Sequence, residues 1–270
     1  MSYSREITSL DEIKSIRLNI LLSFHQFCIA NNINYSITYG TLIGALRHKG
    51  FIPWDDDVDV CMLRKDYEKF EDLFPSQYGK LVYYTLKRNR KWNRPYGKLF
   101  DNSTVEIENN AINIGIGVSI DVFPIDEVPD KKENYFVYNK IRVFLIDVMM
   151  LKSLIWSSQR NFSKNLSVFI SKILLYPFPF RGLAKLIDKY GQLYNNRGNE
   201  RLMHNCDSVD GNYFMNKRLF DEYIDVEFEG YQLRAMRGYD NYLHAIYGDY
   251  MQLPSEDKRE SHHSFNAYRK

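Results

Sequence analysis

Cysteine is scarce in this 270-residue chain: Cys28, Cys61 and Cys206 are the only three. An odd number without zinc-like spacing argues against a disulfide framework or a zinc site and fits a reducing compartment. Long apolar runs are missing too. No uncharged stretch reaches the roughly 18 residues of a membrane span, and Met1 opens a charged, amphipathic segment rather than the apolar core of a leader. The expected location is therefore the cytoplasm, or a peripheral position on the inner face of a membrane. Internal repeats and low-complexity linkers are absent, and no nucleic-acid partner is expected.

Aromatic residues are plentiful, with 21 Tyr and 17 Phe. They serve packing first, but they also suit surfaces that grip sugars or cations. The net charge of +2 hides local asymmetry. Between Lys80 and Lys98 there are seven basic residues and no acidic one, and Tyr135–Arg201 carries eleven basic against three acidic. Such runs are solvated surface by default, yet they also suit an anionic substrate or membrane.

Ser9 and Glu12 form a capping-box pattern. They open a helix with Ile13, Ile16, Ile20, Phe24 and Phe27 on one face, ending near Asn31. Tyr35–Tyr39 reads as a strand broken by Gly40, and Thr41–Arg47 as a short helix. The alternation of Asp57-Val58-Asp59-Val60-Cys61 predicts a strand, and Asp66–Phe74 a helix. Leu81–Leu86, Tyr96–Phe100 and Val118–Phe123 read as strands, the last ended by Pro124. Residues 132–200 are helical in pattern, broken at Pro177 and Pro179. A hairpin around Gly230, a helix over Tyr239–Tyr247 and a polar tail from Ser255 follow. The expected architecture is α/β (α+β): a mixed-sheet core in residues 1–130, a helical subdomain in 131–205, and a segment in 206–270 that packs back on the core.

Asp57 and Asp59, two apart on a strand, would project from one face about 6.6 Å apart. Carboxylates so placed repel each other, and a divalent cation removes that cost. Paired carboxylates with oxygen ligands suit Mg²⁺, and two ions can serve an in-line phosphoryl displacement. A solvated acidic strand end is the plain alternative, and a glycosyltransferase-type Asp-x-Asp stays open on these residues. A calcium loop does not, because its sixth position is Val60 and its twelfth Asp66. Gly40 and Thr41, between strand and helix, offer N–H groups for a phosphate, or simple capping.

The run Tyr39-Gly-Thr-Leu-Ile-Gly-Ala-Leu-Arg-His-Lys-Gly-Phe-Ile-Pro-Trp-Asp-Asp-Asp-Val-Asp-Val60 resembles the signature of the LicD family of phosphocholine transferases. Gly117–Asp126, Val226–Gly230, Tyr239–Leu243, Tyr247–Met251 and the pair His262-His263 resemble further family elements, whereas residues 135–200 match no pattern. The resemblance implies a nucleotidyltransferase-like core. It implies Asp57, Asp59 and Asp121 as metal and catalytic carboxylates, with Mg²⁺ (one or two ions, Mn²⁺ substituting) as cofactor. Gly40 and Thr41 would border the donor phosphates. Arg47, His48, Lys49 and Lys98 are candidates for neutralising them, and Trp54 for a substrate wall, each against a packing or solvated alternative.

By the same resemblance the reaction is transfer of phosphocholine from CDP-choline to a sugar hydroxyl. The acceptor would be a lipid-linked or polymeric glycan, such as a teichoic-acid precursor. Transfer of ribitol, glycerol or ethanolamine phosphate, or of a nucleotide, remains an alternative, as does a degenerate transferase that only binds. Tyr39, Trp54, Trp92 and Tyr96 are candidates for a choline cage. Phe144, Leu145, Met149, Trp156, Phe169, Leu174, Phe178 and Phe180 would either form the helical segment's own core or meet an anionic membrane.

Overall fold

The computed structural model describes residues 4–108, 113–155, 161–206, 214–259 and 265–270. The chain runs β1 (Arg5–Ile7), α1 (Leu10–Ala30), β2 (Ser36–Ile37), α2 (Tyr39–His48), β3 (Asp59–Leu63), α3 (Arg64–Leu73), β4 (Leu81–Tyr84), β5 (Gly97–Asp101), β6 (Thr104–Glu108) and β7 (Ser119–Val128). Then come α4 (Lys132–Ser153), α5 (Phe162–Leu174), α6 (Phe180–Gly191), β8 (Arg201–Met203), β9 (Met215–Asn216), β10 (Tyr223–Phe228), β11 (Tyr231–Met236), α7 (Tyr239–Tyr247) and β12 (Phe265–Arg269). The fold is α+β, as the sequence pattern predicted.

The main sheet runs β2-β3-β7-β5-β4, with β8 and β9 continuing from the far half of β7. Its central pair, β3 and β7, is parallel, and the other pairs are antiparallel. A second sheet, β1-β12-β6, joins segments far apart in sequence, and β10-β11 is a hairpin. One large apolar core draws on residues 7–125 and 202–267, while smaller clusters serve α4 and α6.

Local chemistry explains the first elements. The Ser9 hydroxyl accepts from the Glu12 N–H, and α1 buries Ile13, Ile16, Ile20 and Phe24 as expected. Arg17 lies among them on the same buried stripe. The hairpin turn holds Glu229 and Gly230 at φ 52° and 79°, the mirror-image turn that matches strand twist. Its tip clasps the end of α2, where the Glu229 N–H donates to the Lys49 carbonyl and the Phe51 N–H to Glu229 Oε1.

Several boundaries differ from the sequence expectation, and four of the differences have a local physical reason. Gly40 does not break the chain; it lies inside the first turn of α2, which starts at Tyr39 with a left-handed φ of 48°. β3 begins at Asp59, not Asp57, because Asp55 Oδ1 accepts from the Asp56 and Asp57 N–H groups and curls that stretch into a turn. β7 runs through Pro124. The Asp121 N–H points to β3, so alternation turns Pro124 the other way, between the last β5 partner at Val122 and the first β8 partner at Asp126. No ladder hydrogen bond is lost there. Finally, the polar tail is anchored: Phe265–Arg269 pairs with both β1 and β6.

The helices are tied to the sheet by charge. Arg64 at the start of α3 forks onto Asp126 of β7 with two 2.7 Å bonds and reaches Asp188 of α6 at 3.0 Å. The Asp126 side chain is fully buried. Asp126→Ala leaves Asp188 as the acidic partner of the Arg64 guanidinium and should cost about 3 kcal/mol, the lower end for a broken buried pair. Urea unfolding measures this; a loss below about 1 kcal/mol would show that the fork contributes little to the fold.

Candidate active site

Three charged side chains stand abreast on the central strands. Register pairs Asp59 of β3 with Asp121 of β7, and Asp121 with Lys98 of β5. Side chains opposite one another in adjacent strands share a face. Lys98 Nζ sits 2.8 Å from Asp121 Oδ1. Burial works against charge on Lys98, but Asp121, Tyr96 and Glu106 together outweigh it and raise its pKa. The Asp59 carboxyl is pushed well above the usual range, first by burial and then by Asp121, Asp57 and Asp55, with Lys98 opposing weakly. Burial also raises Asp121, although Lys98 pulls it down. Thr41 stands behind this row, its Oγ1 accepting from the Asp59 N–H at 2.9 Å.

The acidic turn before β3 is held from below. Arg17 is buried and donates to the Asp56 carbonyl, to Asp56 Oδ2 at 2.8 Å and to Glu106 of β6 at 3.1 Å. The same guanidinium lies 3.1 Å from Asp57 Oδ1. Asp56 and Glu106 are interior supports, whereas Asp57 is about one-third exposed. Gly40 leaves room for Asp55: a Cβ there would lie 2.6 Å from Asp55 Oδ2. The need at Gly40 is thus space rather than backbone freedom.

Gly40, Asp55, Asp57 and Asp59 line a cavity of about 890 Å³, whereas Thr41, Lys98 and Asp121 stand behind its wall and do not line it. Tyr39, Trp54, Tyr96, Phe123, Tyr247 and Tyr250 give it aromatic walls, and α4 adds Ile146, Met149 and Met150. Arg47 also lines it, but donates to the Tyr250 and Gln252 carbonyls at 2.7 and 3.1 Å and to His48 Nε2 at 3.0 Å. It therefore pins residues 250–252 over the cavity. His48 packs edge-on near Trp54, and burial with Arg47 lowers its pKa, leaving a neutral ring. Lys49 is exposed beyond the helix end and does not line the cavity. Trp92 does not either; it is buried in a separate cluster, its Nε1–H bonded to the Tyr96 carbonyl. His262 and His263 lie outside the described residues.

Sequence reading missed Arg17, Glu106 and Arg94. Arg94 lines the cavity with its Nε buried and unbonded, and its nearest acid, Glu108, is 3.9 Å away. Its signal was the acid-free basic run. That of Arg17 was a charge set between Ile13 and Ile20 on an apolar stripe.

Among the described residues no three His, Cys, Asp or Glu side chains converge to hold an ion. Mg²⁺ asks for less, since one or two carboxylates suffice when water and substrate phosphates complete its shell. Asp57 and Asp59 both border the cavity, and the carboxylates of Asp121, Asp57 and Asp55, which add to burial in raising Asp59, are an excess of negative charge that a divalent cation would neutralise. The donor set fits such an ion.

A family model described as LicD/FKTN/FKRP, nucleotidyltransferase domain, matches residues 32–158. The chain is 32% identical to the lipopolysaccharide cholinephosphotransferase LicD of Haemophilus influenzae over 96% of this chain and 98% of that protein. An uncharacterized protein of Rickettsia typhi is 38% identical over 30% of this chain and 26% of its own, and one of Rickettsia prowazekii 32% identical over 43% and 34%.

The crowding of Asp59 has a measurable consequence. A raised carboxyl pKa means that the native state keeps a proton which the unfolded chain has released. The associated stability is present at low pH and is lost as pH rises through the raised value. Asp59→Asn removes that loss. In chelator, its melting temperature should equal or exceed wild type, with the gap widening from acidic to neutral pH. A variant less stable than wild type at neutral pH would contradict this charge assignment.

Proposed function

The chain belongs to the LicD family, and from that premise we propose that it transfers phosphocholine from CDP-choline to a sugar hydroxyl of a lipid-linked or polymeric surface glycan. The observation that carries the reading is the row Asp59-Asp121-Lys98, whose Asp59 lines an aromatic-walled cavity together with Asp57. Its near full-length likeness to a cholinephosphotransferase supports the choice of group transferred.

Asp57 and Asp59 would hold a divalent cation, which supplies charge neutralisation to the donor diphosphate. Arg94, with its unbonded Nε, offers a planar fork to a diphosphate oxygen. Asp121 accepts the proton of the attacking sugar hydroxyl, and its raised pKa makes it a stronger base than an ordinary carboxylate. Lys98 holds that carboxylate in place at 2.8 Å. The new bond forms between the sugar oxygen and the phosphorus nearest choline. The bond from that phosphorus to the bridging oxygen breaks, and CMP leaves with the electron pair. Trp54, Tyr96, Tyr247 and Tyr250 suit the head group, because a quaternary ammonium has no N–H and is read by ring faces at roughly 0.5–2 kcal/mol each.

Thermal-shift measurements with Mg²⁺ and CDP-choline, CDP-ethanolamine, CDP-ribitol or CDP-glycerol should rank CDP-choline first, since native-state ligands stabilise by mass action. Product mass should show phosphocholine on the glycan. A higher kcat/KM with CDP-ribitol or CDP-glycerol would keep the reaction type and discard choline.

Arg94→Gln should fold normally, as the side chain has one distant acidic neighbour. Losing a bond to a charged group costs about 1.5–3 kcal/mol, so kcat/KM for the donor should drop by roughly ten- to a hundredfold. Unchanged steady-state kinetics would remove Arg94 from the donor site.

A further inference from the structure

Helix α5 is amphipathic in the unusual sense. Its apolar residues Leu166, Phe169, Ile170, Ile173 and Leu174 follow the i, i+3, i+4, i+7, i+8 spacing of a single stripe. In an ordinary surface helix that stripe is buried. Here all five are exposed, Ile173 at 59% and Leu174 at 70%, while the residues α5 buries are Asn165 and Val168. The turn that follows continues the surface with Tyr176 at 85% and Phe178 at 53%. Leu145 and Phe180, by contrast, pack inward, and Met149 is buried in the cavity wall.

Charge selects among the surfaces that would cover this stripe. From Asn161 to Ile187 the chain carries Lys164, Lys172, Arg181 and Lys185 and no acidic residue. Arg181 is used internally, donating to the Leu86, Asn89 and Trp92 carbonyls. The lysines remain, with Lys164 on the face of α5 away from the stripe and Lys185 on α6, both exposed. Two copies of this face would bring like charges together, whereas anionic lipid headgroups complement them. No described helix is long and apolar enough to cross a membrane. A 13-residue helix of about 20 Å with one apolar face and flanking lysines suits the interface plane instead.

We infer that α5 and the turn through Phe178 dock the protein on an anionic membrane surface, with the apolar stripe inserted among the headgroups. The surface adjoins the catalytic cavity. Met150 of α4 lines that cavity, and Lys152, half a turn on, donates to the Leu175 carbonyl at the end of α5. Docking would bring the cavity wall toward a lipid-borne acceptor. Delivery to such an acceptor rests on the proposed transfer, but the docking itself does not.

Flotation with full-length protein tests it, using vesicles of mixed phosphatidylglycerol and phosphatidylcholine against phosphatidylcholine alone. Wild type should bind the anionic vesicles more tightly, and salt should weaken the difference. Phe169→Ser/Ile173→Ser should lose binding by at least about tenfold. Lys164→Ala/Lys185→Ala should lose roughly fivefold per charge on anionic vesicles only. Both double variants alter exposed residues, so their melting temperatures and their turnover of a soluble acceptor should match wild type. Equal flotation of wild type and the Phe169/Ile173 variant overturns the proposal. So does a wild-type dimer in sedimentation that the same variant dissociates, without vesicle binding by either; the stripe is then a contact between copies. Loss of flotation with turnover intact supports docking, and absent turnover with normal flotation counts against the transferase reading alone.

Discussion

The site depends on one buried cation. Arg17 rises from the apolar stripe of α1 into an interior where an uncompensated charge is not tolerated. Its partners come from separate places: Asp56 and Asp57 from the turn before β3, and Glu106 from β6. Satisfying one guanidinium therefore fixes the first helix, the acidic turn and the second sheet relative to one another. Glu106 responds as a buried partner should, raised by burial but pulled down by Arg17. The cation in turn leaves Asp57 oriented at the cavity edge while Asp56 is consumed inside.

Local chemistry made much of this legible from residues alone. The Ser9 cap, the alternation of β3 and the Glu229-Gly230 turn each carry their instruction within a few positions. What was not legible depends on partners far away. Pro124 looks like a strand end until β5 and β8 are seen to leave a gap opposite it. Gly40 looks like a break until the Asp55 carboxylate is seen to occupy the space a Cβ would need. The tail looks loose until β1 and β6 supply its pairing. The chemistry divides in the same way. Asp57, Asp59 and Gly40 were readable as a motif, and all three border the cavity. Lys49 and Trp92 were picked by proximity in sequence and sit elsewhere. Arg17 and Arg94 act through burial and missing partners, which a sequence does not display.

The helical segment is held differently from the sheet. It meets β7 through Arg64, Asp126 and Asp188, a charged seam, and lends apolar side chains to one cavity wall. Burial raises Asp188 even though Arg64 opposes it, so the seam is held under desolvation rather than in free water. The polar seam gives this region a defined orientation while its outer face stays apolar.

The parallel pairing of β3 with β7 makes the catalytic geometry tolerant in one place and brittle in another. Residues 64–118 connect the two strands through α3, β4, β5 and β6, and insertions in the turns between those elements change only the slowly growing entropy of closing a loop. Within Asp59–Leu63 or Ser119–Phe123, adding or deleting a single residue exchanges the two faces of a strand. Val60 or Val122 would then face the cavity, and a carboxylate would enter the core. Length variation among descendants of such a chain should therefore collect between these strands, leaving the strands themselves uninterrupted.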